Sequence, residues 1–409
     1  MKHASSRLDE AAGGGDPVAL ARALVATPSV NPALESGGHG EKEIAELTAH
    51  WLEAWGFRTR VDEVAPGRCN VVASLRGVRP GPRLLLNGHL DTVGVRDMTV
   101  PAFDGDIRDG RLIGRGASDM KGGVAAALAT AATLARTGLP AGELVVALTA
   151  DEEHASLGMA ALVEGGPPAD AAVVCEPTGL AVMPAHKGFV WVDLLFRGRA
   201  AHGSRPELGI DAVRHAALFV AALDDLAARL ESVPSHPLLG HGSLHVGTIR
   251  GGTAPSVYPH RCSLTLERRT LPGEAPEDVA AELEAVLEEL RARIPRLDAT
   301  LETGLDRPGT EVAGDSALVR GLLEACERCG RPPRLDGMTA WVDAAFLNLA
   351  GVPAVCFGPG GIEQAHSVDE WCDVAEIEGC TEVLTAFALG FLTGDAGPPY
   401  PLDGGPPAR

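Results

Sequence analysis

Seven residues of this chain could act together chemically. His89 and Asp91 stand two apart in "GHLDTV", Asp119 lies in "GRGASDMKGG", and Glu152 and Glu153 are adjacent in "TADEEHASLG". Glu176 follows in "CEPT" and His366 in "GPGGIEQAHSVDEW". Each has an ordinary use when taken alone. A histidine at a strand end can cap or hydrogen-bond in a core, an aspartate before a helix can be an N-cap, and paired glutamates can form a solvated turn. Adjacent carboxylates at the mouth of a strand repel each other, however, and gain nothing for a fold. Imidazoles and carboxylates gathered from separate segments are costly unless something cationic neutralises them. Mixed His/carboxylate donors without thiolate suit zinc, manganese or cobalt. The set His89, Asp119, Glu153, Glu176 and His366 can serve two ions if one carboxylate bridges. Two ions ~3.5–4 Å apart recur in amide hydrolysis, where they polarise the carbonyl and activate a shared water.

Such residues need elements to position them. Asp16 as N-cap and Pro17 in the first turn open an amphipathic helix, "DPVALARALVA". "EIAELTAHWLEAWG" is a second helix, ended by Gly56. "NVVASLRG" and "RLLLNGH" read as strands, "DMKGGVAAALATAATLARTG" as an alanine-rich helix, and "ELVVALTA" and "DAAVVCEP" as further strands. This alternation predicts a mostly parallel sheet covered by helices on both faces. Ligands of an open α/β sheet bind outside the carboxyl ends of its strands. There fall His89 and Asp91, the run Asp151 to His154, Glu176, and His366 with Asp369.

The rhythm changes at "FVWVDLLFRGRA", which alternates like a half-exposed strand. A helix, two strands, a helix and a last strand follow, and the order βαββαβ predicts a ferredoxin-like sandwich. The α/β pattern then resumes with "ALVRGLLEACERCG", "PAVCFGPGG" and a helix from about 374 to 393. The expected organisation is a disordered lead over 1–16, a catalytic domain over 17–185 and 304–394, an insertion over 186–303, and a flexible tail over 395–409.

A length of 409 residues favours two domains. Lys and Arg total 35 against 55 Asp and Glu, a net charge of −20, which argues against nucleic acid or an anionic membrane as partner. The N-terminus has no apolar signal core, and no apolar run reaches the ~18 residues that span a bilayer, so the sequence predicts a soluble, cytoplasmic protein. The eight cysteines are scattered. The single CxxC, Cys326 and Cys329, sits in a helical stretch with no second pair to complete a zinc knuckle, so unpaired thiols are expected. "GRGASDMKGG" superficially offers a nucleotide-binding loop, but its aspartate would repel a phosphate.

The motif series quoted above resembles that of the dinuclear zinc superfamily of aminoacylases, acetylornithine deacetylases and glutamate carboxypeptidases. The likeness spans about 17–393, in order and with an insertion at the expected place. It implies that His89 and Glu176 bind the first metal, Glu153 and His366 the second, and that Asp119, followed by a cis peptide, bridges them. It further implies that Asp91 orients His89 and that Glu152 is the catalytic base. The insertion resembles a lid and dimerisation domain. There His202 matches a histidine that reaches the partner subunit's site and stabilises an oxyanion, and Arg269 matches an arginine gripping a substrate carboxylate. Arg268, its neighbour, is expected to be a surface charge. Gly360 and the "RGGTAPSVYP" segment match substrate contacts, although Ser256 stands where asparagine is common and has fewer donors. The implied cofactors are two divalent ions, zinc first, with cobalt or manganese as alternatives. The implied partners are an N-acyl amino acid and a second copy of the chain. Acetylornithine deacetylation is the reading preferred on "EPT", "AHKG" and "GPGGIEQAHSVDE". Succinyl-diaminopimelate desuccinylase, a glutamate carboxypeptidase or dipeptidase, and a catalytically silent binding protein are the alternatives.

Overall fold

The computed structural model describes residues 11–166, 169–233 and 236–394. In chain order the elements are α1 (Pro17–Ala26), α2 (Lys42–Ala54), β1 (Arg58–Ala65), β2 (Arg68–Arg76), β3 (Arg79–His89), β4 (Asp106–Arg108), β5 (Arg111–Ile113), α3 (Gly122–Thr137), β6 (Ala141–Thr149), α4 (Leu157–Glu164), β7 (Ala171–Val174) and β8 (Val182–His186). There follow β9 (Gly188–Arg197), α5 (Ala212–Ser232), β10 (Ser243–Gly251), β11 (Arg261–Thr270), α6 (Pro276–Arg293), β12 (Asp298–Arg307) and β13 (Thr310–Glu311). The chain closes with α7 (Ala317–Arg328), β14 (Leu335–Met338), α8 (Ala344–Leu349), β15 (Ala354–Cys356), β16 (Trp371–Asp373) and α9 (Val374–Thr393). Two compact units result: one runs to Pro184 and resumes over Val312–Asp336 and from Val342, and the other is Ala185–Glu311 with Gly337–Trp341.

The first unit is built on a sheet in which β1, β2, β6, β3, β7, β15 and β8 lie side by side in that order. It is parallel across β6, β3, β7 and β15, and antiparallel at both flanks. The parallel strands are short apolar runs, and Leu84, Leu86, Leu144, Val146 and Val173 are all fully buried. Small side chains let α3 press closely on the sheet. A Cβ at Gly123 would meet the Cys175 carbonyl oxygen at 1.9 Å, so only glycine permits the approach that sets α3 against the residue preceding Glu176. Asp16 caps α1 as its sequence predicts, accepting from the Ala19 N–H at 2.7 Å.

Residues 1–10 and 395–409, parts of the expected lead and tail, lie outside the described residues. The rest of the lead is ordered instead. Residues 11–13 are helical, Ala12 is buried, and the Gly13 carbonyl accepts from Trp55 Nε1 at 2.7 Å.

The second unit carries the antiparallel sheet β10-β11-β9-β12, with α5 and α6 supplying the other half of its core. Its chain order, β9-α5-β10-β11-α6-β12, is βαββαβ. Inward residues Val190, Val192, Leu194 and Phe196 of β9 meet Phe219 and Leu223 of α5 and Leu283 and Leu287 of α6. Arg268 departs from the expectation of a surface charge. Its side chain is 1 % exposed and is held by Glu274 at 3.0 Å and Glu282 at 3.2 Å. On β11 it shares the buried face with Cys262, Leu264 and Leu266, so strand alternation turns it inward. Among the described residues no helix is long and apolar enough to cross a membrane, and all eight cysteines are free thiols.

Candidate metal centre

His89 ends β3, and its ring is held from both sides. Nε2 lies 3.0 Å from Asp119 Oδ1, and Nδ1 lies 2.9 Å from the Asp91 backbone carbonyl. The Asp91 carboxylate is farther from the ring, at 3.7 Å, and spends its hydrogen bonds elsewhere. Its two oxygens accept the backbone N–H groups of Glu152, at 3.1 Å, and Glu153, at 3.2 Å.

Asp119 stands in the tight turn between β5 and α3, and the peptide bond that follows it is cis. Its second oxygen, Oδ2, faces His366 Nε2 at 3.3 Å. Each oxygen of one carboxylate thus meets a different imidazole. Glu153 closes the group from the turn after β6, with Oε2 3.0 Å from the same His366 nitrogen. Ligand atoms of His89, Asp119 and Glu153 all fall within 4.8 Å of one another. Glu176, after β7, is buried at 4 % exposure, and its Oε1 has no hydrogen-bond partner.

The electrostatics describe a site that wants positive charge. Burial, with Glu176 beside it, pushes the Glu152 carboxyl well above the carboxylate range. Burial and Asp119 push Glu153 up to about 7 and Glu176 up to about 8. Hydrogen bonds to Asp119 and Glu153 lift His366 to about 10. Burial opposes charge on His89, yet Asp119 and Glu152 raise it well above the ordinary imidazole. Burial likewise works against the Asp119 anion, but His366 and His89 hold it below its usual value. Carboxylates that crowd together, retain protons and leave a buried oxygen unpartnered fit a cationic occupant. The N and O donors suit a borderline or hard dication.

The sequence-predicted residues of the first unit, His89, Asp91, Asp119, Glu152, Glu153, Glu176 and His366, come from separate segments to one locality. Gly360 belongs to the same unit. Its φ is +77°, its N–H donates to Glu376 at 2.7 Å, and a Cβ there would meet Ser118 Oγ at 2.4 Å, so the position demands glycine. Asp369 is exposed. Its neighbour Glu370 was not singled out from sequence, yet it is fully buried and accepts from the backbone N–H groups of Gly116 (3.1 Å), Ser118 (2.9 Å) and Asp119 (3.0 Å). Arg115 neutralises it at 2.7 Å. The only signal for it was its place in "HSVDEW".

In the second unit, His202 is exposed, and its Nδ1 accepts from the Ser204 N–H at 3.2 Å, with Ser204 Oγ at 2.8 Å. A donated N–H leaves Nδ1 unprotonated in the neutral ring, so Nε2 carries the proton. The Ser256 carbonyl accepts from the Gly203 N–H at 2.7 Å, which ties that segment to the His202 turn. Arg269 points to the outer face of its sheet, beside Glu267 at 2.7 Å and over the Phe189 ring.

Comparison with known proteins places the chain in a family. The model of peptidase family M20/M25/M40 matches residues 85–390, and the chain belongs to that family of hydrolases. Among curated relatives, an acetylornithine deacetylase of Myxococcus xanthus is 33 % identical over 351 residues, covering 84 % of this chain and 90 % of that protein. An acetylornithine deacetylase of Vibrio cholerae is 30 % identical over 376 residues, covering 88 % and 95 %. Among solved structures, aminopeptidase PepT of Bacillus cereus superposes with a TM-score of 0.76 at 22 % identity, covering 92 % of this chain and 98 % of that one. The YXEP protein of Bacillus subtilis, a dinuclear metal-binding peptidase, gives 0.71 at 18 % identity, covering 93 % and 99 %.

Proposed function

We propose that this protein is a dinuclear metal-dependent amidohydrolase that removes the acyl group from an N-acyl amino acid, with N-acetylornithine the first substrate to test. The observation that carries the reading is the two-sided Asp119 carboxylate, with one oxygen toward His89 and the other toward His366, whose same nitrogen also meets Glu153. His89, Asp119 and Glu176 would hold one ion, and Asp119, Glu153 and His366 the other, with zinc the first to test and cobalt or manganese the alternatives that the same donors accept. When bound, such a pair polarises the scissile carbonyl and lowers the pKa of a water.

The remaining chemistry falls to side chains. Glu152 takes a proton from the water that attacks the carbonyl carbon, then returns it to the nitrogen as the C–N bond breaks, so that carboxylate and free amine leave. His202 of the partner subunit, with its proton on Nε2, would donate to the oxyanion as it forms. Arg269 would take the substrate carboxylate, with Ser256 and Gly360 lining the substrate. The second unit would serve as lid and dimer contact.

The preference for acetylornithine rests on the two deacetylase relatives, which align over most of the chain. A hydrolysis panel tests it: N-acetylornithine, N-succinyl-diaminopimelate, N-acetyl and N-formyl derivatives of other amino acids, and dipeptides, all with metal-replete protein. The highest kcat/KM is expected on N-acetylornithine. A preference for the succinyl compound or for dipeptides would move the assignment to a desuccinylase or a peptidase.

A further inference from the structure

Behind the turn that carries Glu152 and Glu153 lies a buried ionic chain. Arg68, at the start of β2, sends Nε and Nη2 to the two oxygens of Glu41, at 2.7 and 2.5 Å. Its third nitrogen, Nη1, lies 2.8 Å from Asp151 Oδ1. Asn31 Nδ2 donates to that same oxygen at 3.0 Å and to Asp91 Oδ2 at 2.8 Å. The side chains of Arg68, Glu41 and Asp151 are 7 %, 0 % and 0 % exposed.

The backbone of the turn ends on this chain. Three consecutive N–H groups each donate to a carboxylate from elsewhere in the sequence: Asp151 to Glu41 at 3.2 Å, and Glu152 and Glu153 to Asp91. Asp151 itself sits in the left-handed region, at φ +70°, and its carbonyl accepts from Ala155 and Ser156. Buried ion groups are poor stabilisers compared with apolar packing of the same volume. What this one does supply is a fixed backbone path for two adjacent glutamates that must point to different tasks.

We propose that Arg68 is a positioning residue for the reaction, bridging Glu41 and Asp151 so that the turn presents Glu152 and Glu153 in one geometry. The planar fork matters, because a lysine ammonium cannot hold Glu41 in two-pronged fashion while also reaching Asp151. The roles of Glu152 and Glu153 rest on the function proposed above, whereas the ordering of the turn does not.

The test compares wild type with Arg68→Met and Arg68→Lys. Amide hydrogen exchange is measured on metal-free protein, and kcat and KM on the loaded enzyme. In Arg68→Met, exchange at 151–153 should rise at least about tenfold while 144–148 in β6 stays protected. Its kcat should fall by about 10²-fold with KM within about twofold, the mark of misplaced groups rather than lost substrate binding. Arg68→Lys should lie between the two, and it carries the same comparison if Arg68→Met does not fold. Unchanged protection at 151–153, equal loosening of β6, or kcat within about twofold of wild type would each overturn the proposal. Absence of wild-type activity on every panel substrate would sink the functional reading and leave the exchange result to decide the positioning role.

Discussion

Asp91 holds Glu152 by its backbone: the aspartate's Oδ1 accepts the Glu152 N–H at 3.1 Å, while Oδ2 does the same for Glu153. The residue two places after His89 therefore fixes the turn at the end of the neighbouring parallel strand β6, and the His89 ring leans on the Asp91 main-chain carbonyl. Asp91→Asn keeps one carbonyl acceptor and replaces the other oxygen with an NH2 group, which donates and cannot accept. Metal affinity should drop about 10–100-fold, as it does when groups supporting metal ligands are removed, and kcat should fall with it. Competition with a chromogenic chelator measures the first. Unaltered affinity would show that the turn does not need Asp91.

Glu370 should matter more for stability than for binding. It takes three backbone N–H groups of the Asp119 turn and neutralises Arg115 out of contact with water. Glu370→Gln leaves that guanidinium without its counter-ion, and loss of one partner of a buried pair costs about 3–5 kcal/mol. Urea unfolding should show a lower midpoint with the slope preserved. A midpoint within error of wild type would contradict the assignment.

A titration prediction concerns His186, in the second unit. Its Nε2 meets Thr310 Oγ1 at 2.8 Å, and burial pushes the ring down to about 4. The unfolded ring titrates at about 6.5, so between these values the unfolded chain binds a proton that the folded one refuses. The stability contributed by neutral His186 is therefore present above about pH 6.5 and is lost as pH falls toward about 4. His186→Gln should flatten that part of the stability–pH curve. An unchanged slope would mean that the ring is protonated in the folded protein.

How legible all this was depends on distance along the chain. His89, Glu153, Glu176 and His366 were placed by the apolar runs that precede them, and Asp119 by the start of the alanine-rich helix pattern that follows it. Arg268 was misjudged as a surface charge although alternation with Leu264 and Leu266 places it inward, and its partners Glu274 and Glu282 lie on the following turn and helix. β1 went unrecognised because "RTRVDEVA" is a half-exposed flank strand with few apolar residues to mark a period. The chain from Glu41 through Arg68 to Asp151 spans 110 residues, and no local pattern announces a contact made only by tertiary packing. The Asp16 cap and the break at Gly56, being local, were readable directly.

Complementation tests the proposed sharing of sites between subunits. His202→Ala and Glu152→Ala are each expected to be inactive. After subunit exchange, a mixed dimer would hold one doubly defective site and one intact site, so about half-normal activity per mixed dimer should return if His202 serves its partner. No recovery despite proven exchange would place His202 with its own chain, or outside catalysis.

The most direct measurement pairs metal content with turnover in the same preparations: wild type, wild type stripped by dipicolinate and then restored with zinc or cobalt, and Glu152→Gln. Two ions per chain are expected in wild type, with activity lost on stripping and recovered on restoration. Glu152→Gln should keep both ions and lose about 10²–10⁴-fold in kcat, as for an absent general base. Full activity in protein shown by elemental analysis to be metal-free, or near-normal kcat in Glu152→Gln, would contradict the account.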